Sequence, residues 1–385
     1  MRVFIAGIDG YLGWALAQHL LQRGHEVSGA DNLARRIWVE EVGSCSAVAI
    51  APIEERIKAA GDVYGHEPLF SSIDLCDFSE LRKALHSFKP DAVVHLGQCP
   101  SAPYSMIDQA HAVFVQNSNL VSTLNLIYAI RETCPEAHLI KLGTMGEYGT
   151  PGIDIPEGEF EVTFRGRTAV LPFPRQANSW YHLSKVHDSH NLVFAARTWG
   201  LAITDLMQGV VYGASVRGIP LMEPRLATRL DFDSVFGTVV HRFCAQAVIG
   251  MPLSLYGRGG QSRGFIALTD SVRCMTLSLE NPPQPGEYRV FNQISQVFSI
   301  LDIAKTVREV AAKKDIEVNF ELIANPRTEA EQHYYQPDAH KLRALGFLPS
   351  ITLCQEVDCL LDIMATSRDR ILCKQSVLAP KISWK

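Results

Sequence analysis

None of the nine cysteines stands in a CxxC pair, so neither a zinc ribbon nor a redox motif of that form is expected. An odd, scattered set fits reduced thiols in a cytosolic protein better than a disulfide framework. No run approaches the ~20 apolar residues needed to span a bilayer. The opening MRVFIAGIDGYLGW is broken by glycines and Asp9, whereas a signal peptide needs a longer apolar stretch. A soluble, cytoplasmic protein with no membrane partner is expected. Like charges do not extend beyond pairs such as Arg35–Arg36, and the formal net charge is -5; both argue against a general nucleic-acid binder. Internal repeats and low-complexity tracts are absent as well.

What is present is enough for a large core: 385 residues, 47% of them hydrophobic, which suggests about two domains. RVFIAG, HEVSGAD, DAVVHLG, AHLIKLG and AITDLMQGVVYG read as strands. YLGWALAQHLLQRG, Leu81–Phe88, Ala112–Arg131 and Tyr181–Gly200 read as helices between them. This alternation is the pattern of a parallel sheet covered on both faces. After Tyr212 prolines, arginines and short strands take over, and NPPQPGEYRVFN is a loop entering a strand. Helical patterns around LDIAKTVREVAAK and CQEVDCLLDIMATSRDR follow. The predicted fold is α/β: a Rossmann-type doubly wound parallel sheet over residues 1–208, to which later segments return. A smaller, partly interleaved α/β substrate lobe covers residues 209–385.

GIDGYLG places Gly7, Gly10 and Gly13 directly after a strand and at the start of a helix. A dinucleotide needs this arrangement: a tight turn, a backbone close to the pyrophosphate, and helix amides facing it. An ordinary turn also carries glycines, but Asp31 closes the next strand, at the distance where a carboxylate meets the adenosine ribose. Asp31 repels a 2′-phosphate and so favours NAD over NADP, although Arg35 and Arg36 close by offer cations for such a phosphate. Asp74 and Leu75, after the third strand, fall where an adenine lies.

SWYHLSK supplies Tyr181 and Lys185, four residues apart on one helix face. A lysine ammonium beside a phenol lowers the phenol's pKa and prepares it to take a proton from a substrate hydroxyl. YxxxK alone is also met on surface helices. Thr144, at the end of an earlier strand, adds a hydroxyl that can hold the same substrate oxygen. The order and spacing of glycine loop, Asp31, Thr144, Tyr181 and Lys185 point to a dehydrogenase-type site.

With these residues the chain resembles the extended short-chain dehydrogenase/reductases, and among them the UDP-sulfoquinovose synthase family over nearly its whole length. The segments carrying the resemblance are DNLARR, SAPYSMID, KLGTMGEYGTP, YHLSKVHDSHN, QGVVYG, GGQSRGF, RVFNQ, NPRTEAEQHYY and ISWK. It implies tightly held NAD, a UDP-glucose substrate and transient oxidation at C4. Loss of the C5 proton and the C6 hydroxyl then gives a 5,6-ene, to which sulfite adds. Sugar dehydratases of this build usually follow the threonine with aspartate and glutamate, whereas here Met145 and Gly146 follow. The resemblance makes this TMGEYG motif the family's own. It implies that Thr144, Tyr181 and Lys185 are catalytic and that Met145, Glu147 and His182 face the substrate. His182, or a water held by Glu147, is expected to take the C5 proton; a structural Glu147 paired with an arginine is the alternative. The resemblance also gives Asn32 and Arg35 to the cofactor site, and Ser101, Gln208, Arg263 and Arg327 to the substrate site. No metal is expected, His187 and His190 included.

The chain departs from the plant-type pattern before SAPYSM, where Gln98, Cys99 and Pro100 replace a Glu-Gln-Arg run. The lost arginine is a fixed charge and bidentate donor suited to sulfite, sulfonate or diphosphate, and Pro100 cannot replace it. The stretch ASVRGIPLMEPRLATRLD also differs in its first half. Sulfite addition on UDP-glucose therefore stands beside release of the 5,6-ene from a nucleoside or another nucleotide sugar, as in antibiotic biosynthesis. A sugar-nucleotide 4-epimerase is a further alternative. A non-catalytic NAD-binding protein would show a damaged Tyr–Lys pair, and here the pair is intact. Apolar faces on Ala112–Arg131 and Tyr181–Gly200 make a homodimer the default expectation.

Overall fold

The computed structural model describes residues 1–218 and 223–384. Residues 219–222, in the divergent stretch, and Lys385 of ISWK lie outside the described residues. Seven strands form the central sheet: β1 (Arg2–Ala6), β2 (Glu26–Asp31), β3 (Leu69–Ser72), β4 (Ala92–His95), β5 (His138–Thr144), β6 (Ile203–Gln208) and β7 (Tyr288–Gln293). Their order is β7-β6-β5-β4-β1-β2-β3, with every neighbouring pair parallel. Val3, Phe4, Ile5 and Ala6 are all fully buried, which is why β1 reads as an unbroken apolar run. Val3 and Ile5 pack on the side of helix Tyr11–Gln22, whereas Phe4 and Ala6 pack with helices Phe78–Phe88, Gln109–Thr133 and Trp180–Trp199. The order reverses between β1 and β4, so a crevice opens at the strands' carboxyl ends there, where ligands of doubly wound sheets bind.

AITDLMQGVVYG, expected as one strand, divides at Gly209. β6 ends at Gln208, and Val210–Tyr212 joins a separate three-stranded sheet with Ser262–Ala267 and Gln296–Ser299. A Cβ at Gly209 would lie 2.6 Å from the Gly264 carbonyl oxygen, so only glycine permits the crossing. The second core gathers Phe243, Val307 and Leu360 from helices Val239–Val248, Ile300–Ala312 and Leu353–Thr366. Helix Trp180–Trp199 starts on Ser179, whose Oγ accepts from the His182 amide at 3.2 Å. The Tyr181 amide donates to Ser105 Oγ at 3.1 Å. These two bonds fix the first turn, which carries Tyr181, His182 and Lys185. No helix among the described residues is long and apolar enough to cross a membrane.

Candidate active site

The crevice is a cavity of roughly 470 Å³ running from the glycine loop past Thr144 and Tyr181 to Arg263 and Arg327 of the second lobe. Gly7 has φ 90°, and a Cβ there would sit 2.5 Å from the Gly97 amide nitrogen. A Cβ on Gly13 would collide with the Gly7 carbonyl oxygen. Gly10 caps helix Tyr11–Gln22 without a side-chain hydrogen bond, and residues 10–13 line the cavity. The free amides at the positive end of that helix therefore suit a pyrophosphate. Asp31 accepts from the amides of Asp9 at 2.9 Å and Leu33 at 2.7 Å. Its burial, with the nearby Asp9 charge, raises its carboxyl to about 6. Asn32 donates to Asp74 at 3.2 Å, and Leu75 lines the same end. These residues fit a dinucleotide.

The two arginines expected to offer cations to a 2′-phosphate are engaged elsewhere. Arg35 pairs with Asp231 at 2.7 Å and lies over the Phe236 ring at 4.0 Å, still on the cavity wall. Arg36 grips Asp9 with two bonds of 2.8 Å, and Arg56 joins the same carboxylate. Both guanidinium groups are engaged in these pairs, with Arg36 exerting only the smallest of the influences on Asp31, so neither is free for a 2′-phosphate and NAD is favoured more firmly than the sequence alone suggests.

Thr144 closes β5 and caps the turn Met145–Glu147: its Oγ1 accepts from the Gly146 amide at 3.1 Å. The hydroxyl proton stays available for a ligand oxygen. Thr144, Met145, Tyr181, His182 and Lys185 all line the cavity. The Tyr181 hydroxyl makes no hydrogen bond to another described residue. Lys185 reaches Gln98 Oε1 and the Leu142 carbonyl, the latter at 2.8 Å, and its Nζ lies 5.9 Å from the Tyr181 ring centroid. The expected lowering of the phenol by the lysine is therefore not seen: burial, then Glu147 and Cys99, raise Tyr181. Burial and the Lys141 charge lower Lys185 to about 8.

Gly146 explains the absent acid of the TMGEYG motif. A Cβ at this position would collide with His182 Nε2, so the imidazole occupies the space a side chain at 146 would fill. Nδ1 of His182 lies 2.9 Å from both Ser179 Oγ and Asn178 Oδ1, leaving Nε2 toward the turn. Gly146→Ala is expected to displace the ring and lower turnover about 10²-fold, with little change in NAD affinity, as kinetics and a cofactor titration would show.

Glu147 is a correction. It is fully buried and absent from the cavity wall. Its carboxylate pairs with Arg175 and, at 3.3 Å, with Lys141, and accepts from Ser189 Oγ at 3.0 Å. Burial alone would raise its carboxyl, but Lys141 and Arg175 outweigh burial and lower it. Lys141 is fully buried too, and Asp205 lies 3.5 Å from its Nζ. The charges form a closed network beneath Thr144, so Glu147 braces the turn and does not face the cavity.

The other expected substrate residues reach the cavity, mostly already engaged. Ser101 Oγ donates to the Val235 carbonyl at 2.6 Å, and Gln208 donates to Ser271 and Gln293 at 2.8 Å. Arg263 is tied to Glu329 and His333. Arg327 has no carboxylate partner among the described residues. Sequence reasoning missed Gln98 as the lysine's acceptor, and also Arg242, Tyr256 and Trp384, all three on the cavity wall. Arg242 donates to Tyr256 Oη at 2.8 Å and also lacks a carboxylate partner among the described residues. Gln98 and Trp384 lie in stretches the sequence singles out, but nothing local gives their place in the site; the fold assembles all four from separate segments.

Residues 3–292 match the NAD dependent epimerase/dehydratase family. The chain belongs to this family. It is 46% identical to the chloroplastic UDP-sulfoquinovose synthase of Spinacia oleracea over 384 residues, covering 100% of this chain and 79% of that protein. It is 44% identical to the UDP-sulfoquinovose synthase of Sulfolobus acidocaldarius, covering 100% and 98%. Among solved structures, a UDP-glucose-4-epimerase from Stenotrophomonas maltophila, with bound NAD and formylated UDP-arabinopyranose, has a TM-score of 0.74. It is 18% identical and the match covers 96% of this chain and 99% of that one; at that identity it supports the fold alone.

In this NAD dependent family member, burial, with Arg327, Arg263 and Lys185 nearby, lowers His182 to about 3. The neutral form, which can take a proton, therefore persists far below the ordinary value of 6.5. Removal of the substrate's C5 proton by NAD-loaded enzyme is expected to show no loss centred near 6.5 as pH falls. A single-turnover pH profile checks this, and a loss centred there contradicts it.

Proposed function

We propose that this chain is a cytoplasmic UDP-sulfoquinovose synthase, converting UDP-glucose and sulfite through a 4-keto-5,6-ene. The observation that carries the reading is its full-length similarity to the plant and archaeal synthases, at 46% and 44% identity. In support of it, one cavity is lined by Thr144, Tyr181, Lys185 and His182, by the glycine loop, and by two arginines without carboxylate partners among the described residues. Residues 1–208, with the returning strand β7, hold the cofactor side, and residues 209–385 supply most of the sugar-nucleotide side.

Bound NAD would accept a hydride from C4 of the sugar and return it at the end. Gly7, Gly10 and Gly13 would hold its pyrophosphate, and Asp31 and Asn32 its adenosine ribose. Tyr181 takes the C4 hydroxyl proton, with Thr144 donating to the same oxygen. His182 accepts the C5 proton, which the C4 ketone acidifies, and passes it to the C6 hydroxyl, which leaves as water. Hydrogen sulfite then forms the C6–S bond through its sulfur, and its proton goes to C5. Arg242 and Arg327 bind the substrate diphosphate.

One observation favours a second reading. Gln98 and Pro100 place no cation on the cavity wall where the plant-type pattern has an arginine, which suits release of the alkene without sulfite addition. The mass of the product formed from UDP-glucose, with and without sulfite, separates the two. A sulfonated product that requires sulfite supports synthesis; loss of one water regardless of sulfite supports the dehydratase; an unchanged sugar contradicts both.

Val113, Phe114, Val121, Leu124 and Tyr128 are exposed on helix Gln109–Thr133, as are Trp180 and Phe194 on the adjoining helix. Apolar side chains in this number on two packed helices support a homodimer. Light scattering giving twice the 42.7 kDa chain mass would agree with it.

A further inference from the structure

Two motifs of the sequence, NPRTEAEQHYY and ISWK, meet at the cavity. Arg327 and Trp384 form a parallel β-bridge. The Trp384 amide donates to the Pro326 carbonyl at 2.9 Å, Thr328 Oγ1 donates to the Trp384 carbonyl at 3.2 Å, and Ser383 Oγ donates to the Pro326 carbonyl at 3.2 Å. The bridge sets the two side chains next to each other, and the Arg327 guanidinium carbon lies 5.3 Å from the centre of the Trp384 ring. Both residues line the cavity.

We infer that the segment Pro380–Trp384 is a working part of the ligand site, with Trp384 the positioning residue that holds Arg327 ready for an anionic group. This rests on the reading that a nucleoside diphosphate occupies the cavity. Arg35 and Arg263, by contrast, are held by Asp231 and Glu329, and each loses donors and net charge to its partner. Arg327 is held by a ring face. Stacking orients the planar guanidinium through its quadrupole attraction without using an N–H, so the donors and the charge stay free for phosphate oxygens. Its Nε is buried and has no partner among the described residues, a state that costs free energy until an acceptor arrives. Arg242, with one bond to the Tyr256 hydroxyl, faces the same cavity, so two cations with no carboxylate hydrogen-bonded to them among the described residues converge on one anion-binding region.

The test is calorimetric titration of UDP into the NAD-loaded full chain and its Trp384→Ala and Trp384→Phe variants, with melting temperature and NAD affinity measured alongside. Trp384→Ala is expected to weaken UDP about 10-fold, while Trp384→Phe, which keeps a ring face, stays within about 3-fold of the unaltered chain. NAD affinity and melting temperature are unchanged, and KM for UDP-glucose rises in Trp384→Ala while kcat is kept. Truncation after Ala379 is expected to reproduce the loss of UDP affinity. Equal UDP affinity in Trp384→Ala and the unaltered chain overturns the inference and leaves the nucleotide reading standing. A matching fall in NAD affinity or stability overturns it also, because the segment would then be structural. Failure of the unaltered chain to bind UDP overturns the nucleotide reading itself, and the inference with it.

Discussion

Replacing Glu147 with alanine is expected to cost about 3–5 kcal/mol of stability, read as a lower urea midpoint at unchanged slope. The carboxylate is fully buried between Lys141 and Arg175, and Lys141 is fully buried itself. Removing it leaves the two cations to be balanced by Asp205, 3.5 Å from the Lys141 ammonium, and by the nearby Asp188. The turn beside Thr144 also loses a bond, because Glu147 Oε1 accepts from the Thr144 amide at 3.3 Å. Glu147→Gln keeps the shape and is expected to cost less. In the fraction that stays folded, C5 proton removal should fall no more than about 10-fold, against the 10²–10⁴-fold expected when a general base is removed. A loss of the larger size, with stability intact, would return Glu147 to the chemistry.

Tyr181→Phe is expected to reduce kcat about 10²–10⁴-fold while NAD and UDP bind as before. Tyr181 lines the cavity and its hydroxyl makes no hydrogen bond to another described residue, so the fold does not depend on that hydroxyl. Burial favours the neutral phenol in this structure. Proton transfer therefore has to await a ligand that brings the substrate hydroxyl and the Lys185 charge into play. Lys185 is held by Gln98 and the Leu142 carbonyl, an arrangement that keeps the ammonium near the phenol without pairing it to a carboxylate. Rapid-quench turnover, with cofactor titration on the same variant, checks both halves of this expectation.

The sequence displays what local spacing controls. Gly7, Gly10 and Gly13 are demanded by one turn, and Tyr181 and Lys185 by one helix face, so both groups can be placed without knowing the rest of the chain. β1, β2, β4, β5 and β6 follow from largely apolar, buried runs, whereas β3 at the sheet edge has no buried residue. The hairpin Glu159–Phe164 and Arg167–Pro172 escapes because most of its residues are exposed, so burial imposes no alternation on it. Glu147 misleads for a different reason. Adjacency to Thr144 does not fix direction, and the buried Lys141 that draws the carboxylate inward looks like any strand lysine. Gln98, Arg242 and Trp384 come from three separate segments, and only the folded chain brings them to one cavity. Pairing of Arg35 with Asp231 is long-range in the same way.

The measurement that tests the account most directly is hydrogen exchange at C5 of UDP-glucose in deuterated water, comparing the NAD-loaded chain with its His182→Asn variant. The account predicts deuterium at C5 with the unaltered chain. With the variant it predicts exchange slowed about 10²-fold or more, while NADH absorbance still rises on mixing with substrate, because C4 oxidation needs Tyr181 and not His182. Equal exchange in the two proteins would contradict the assignment of His182 as the C5 base, and with it the account of how a site without the usual acid pair removes that proton.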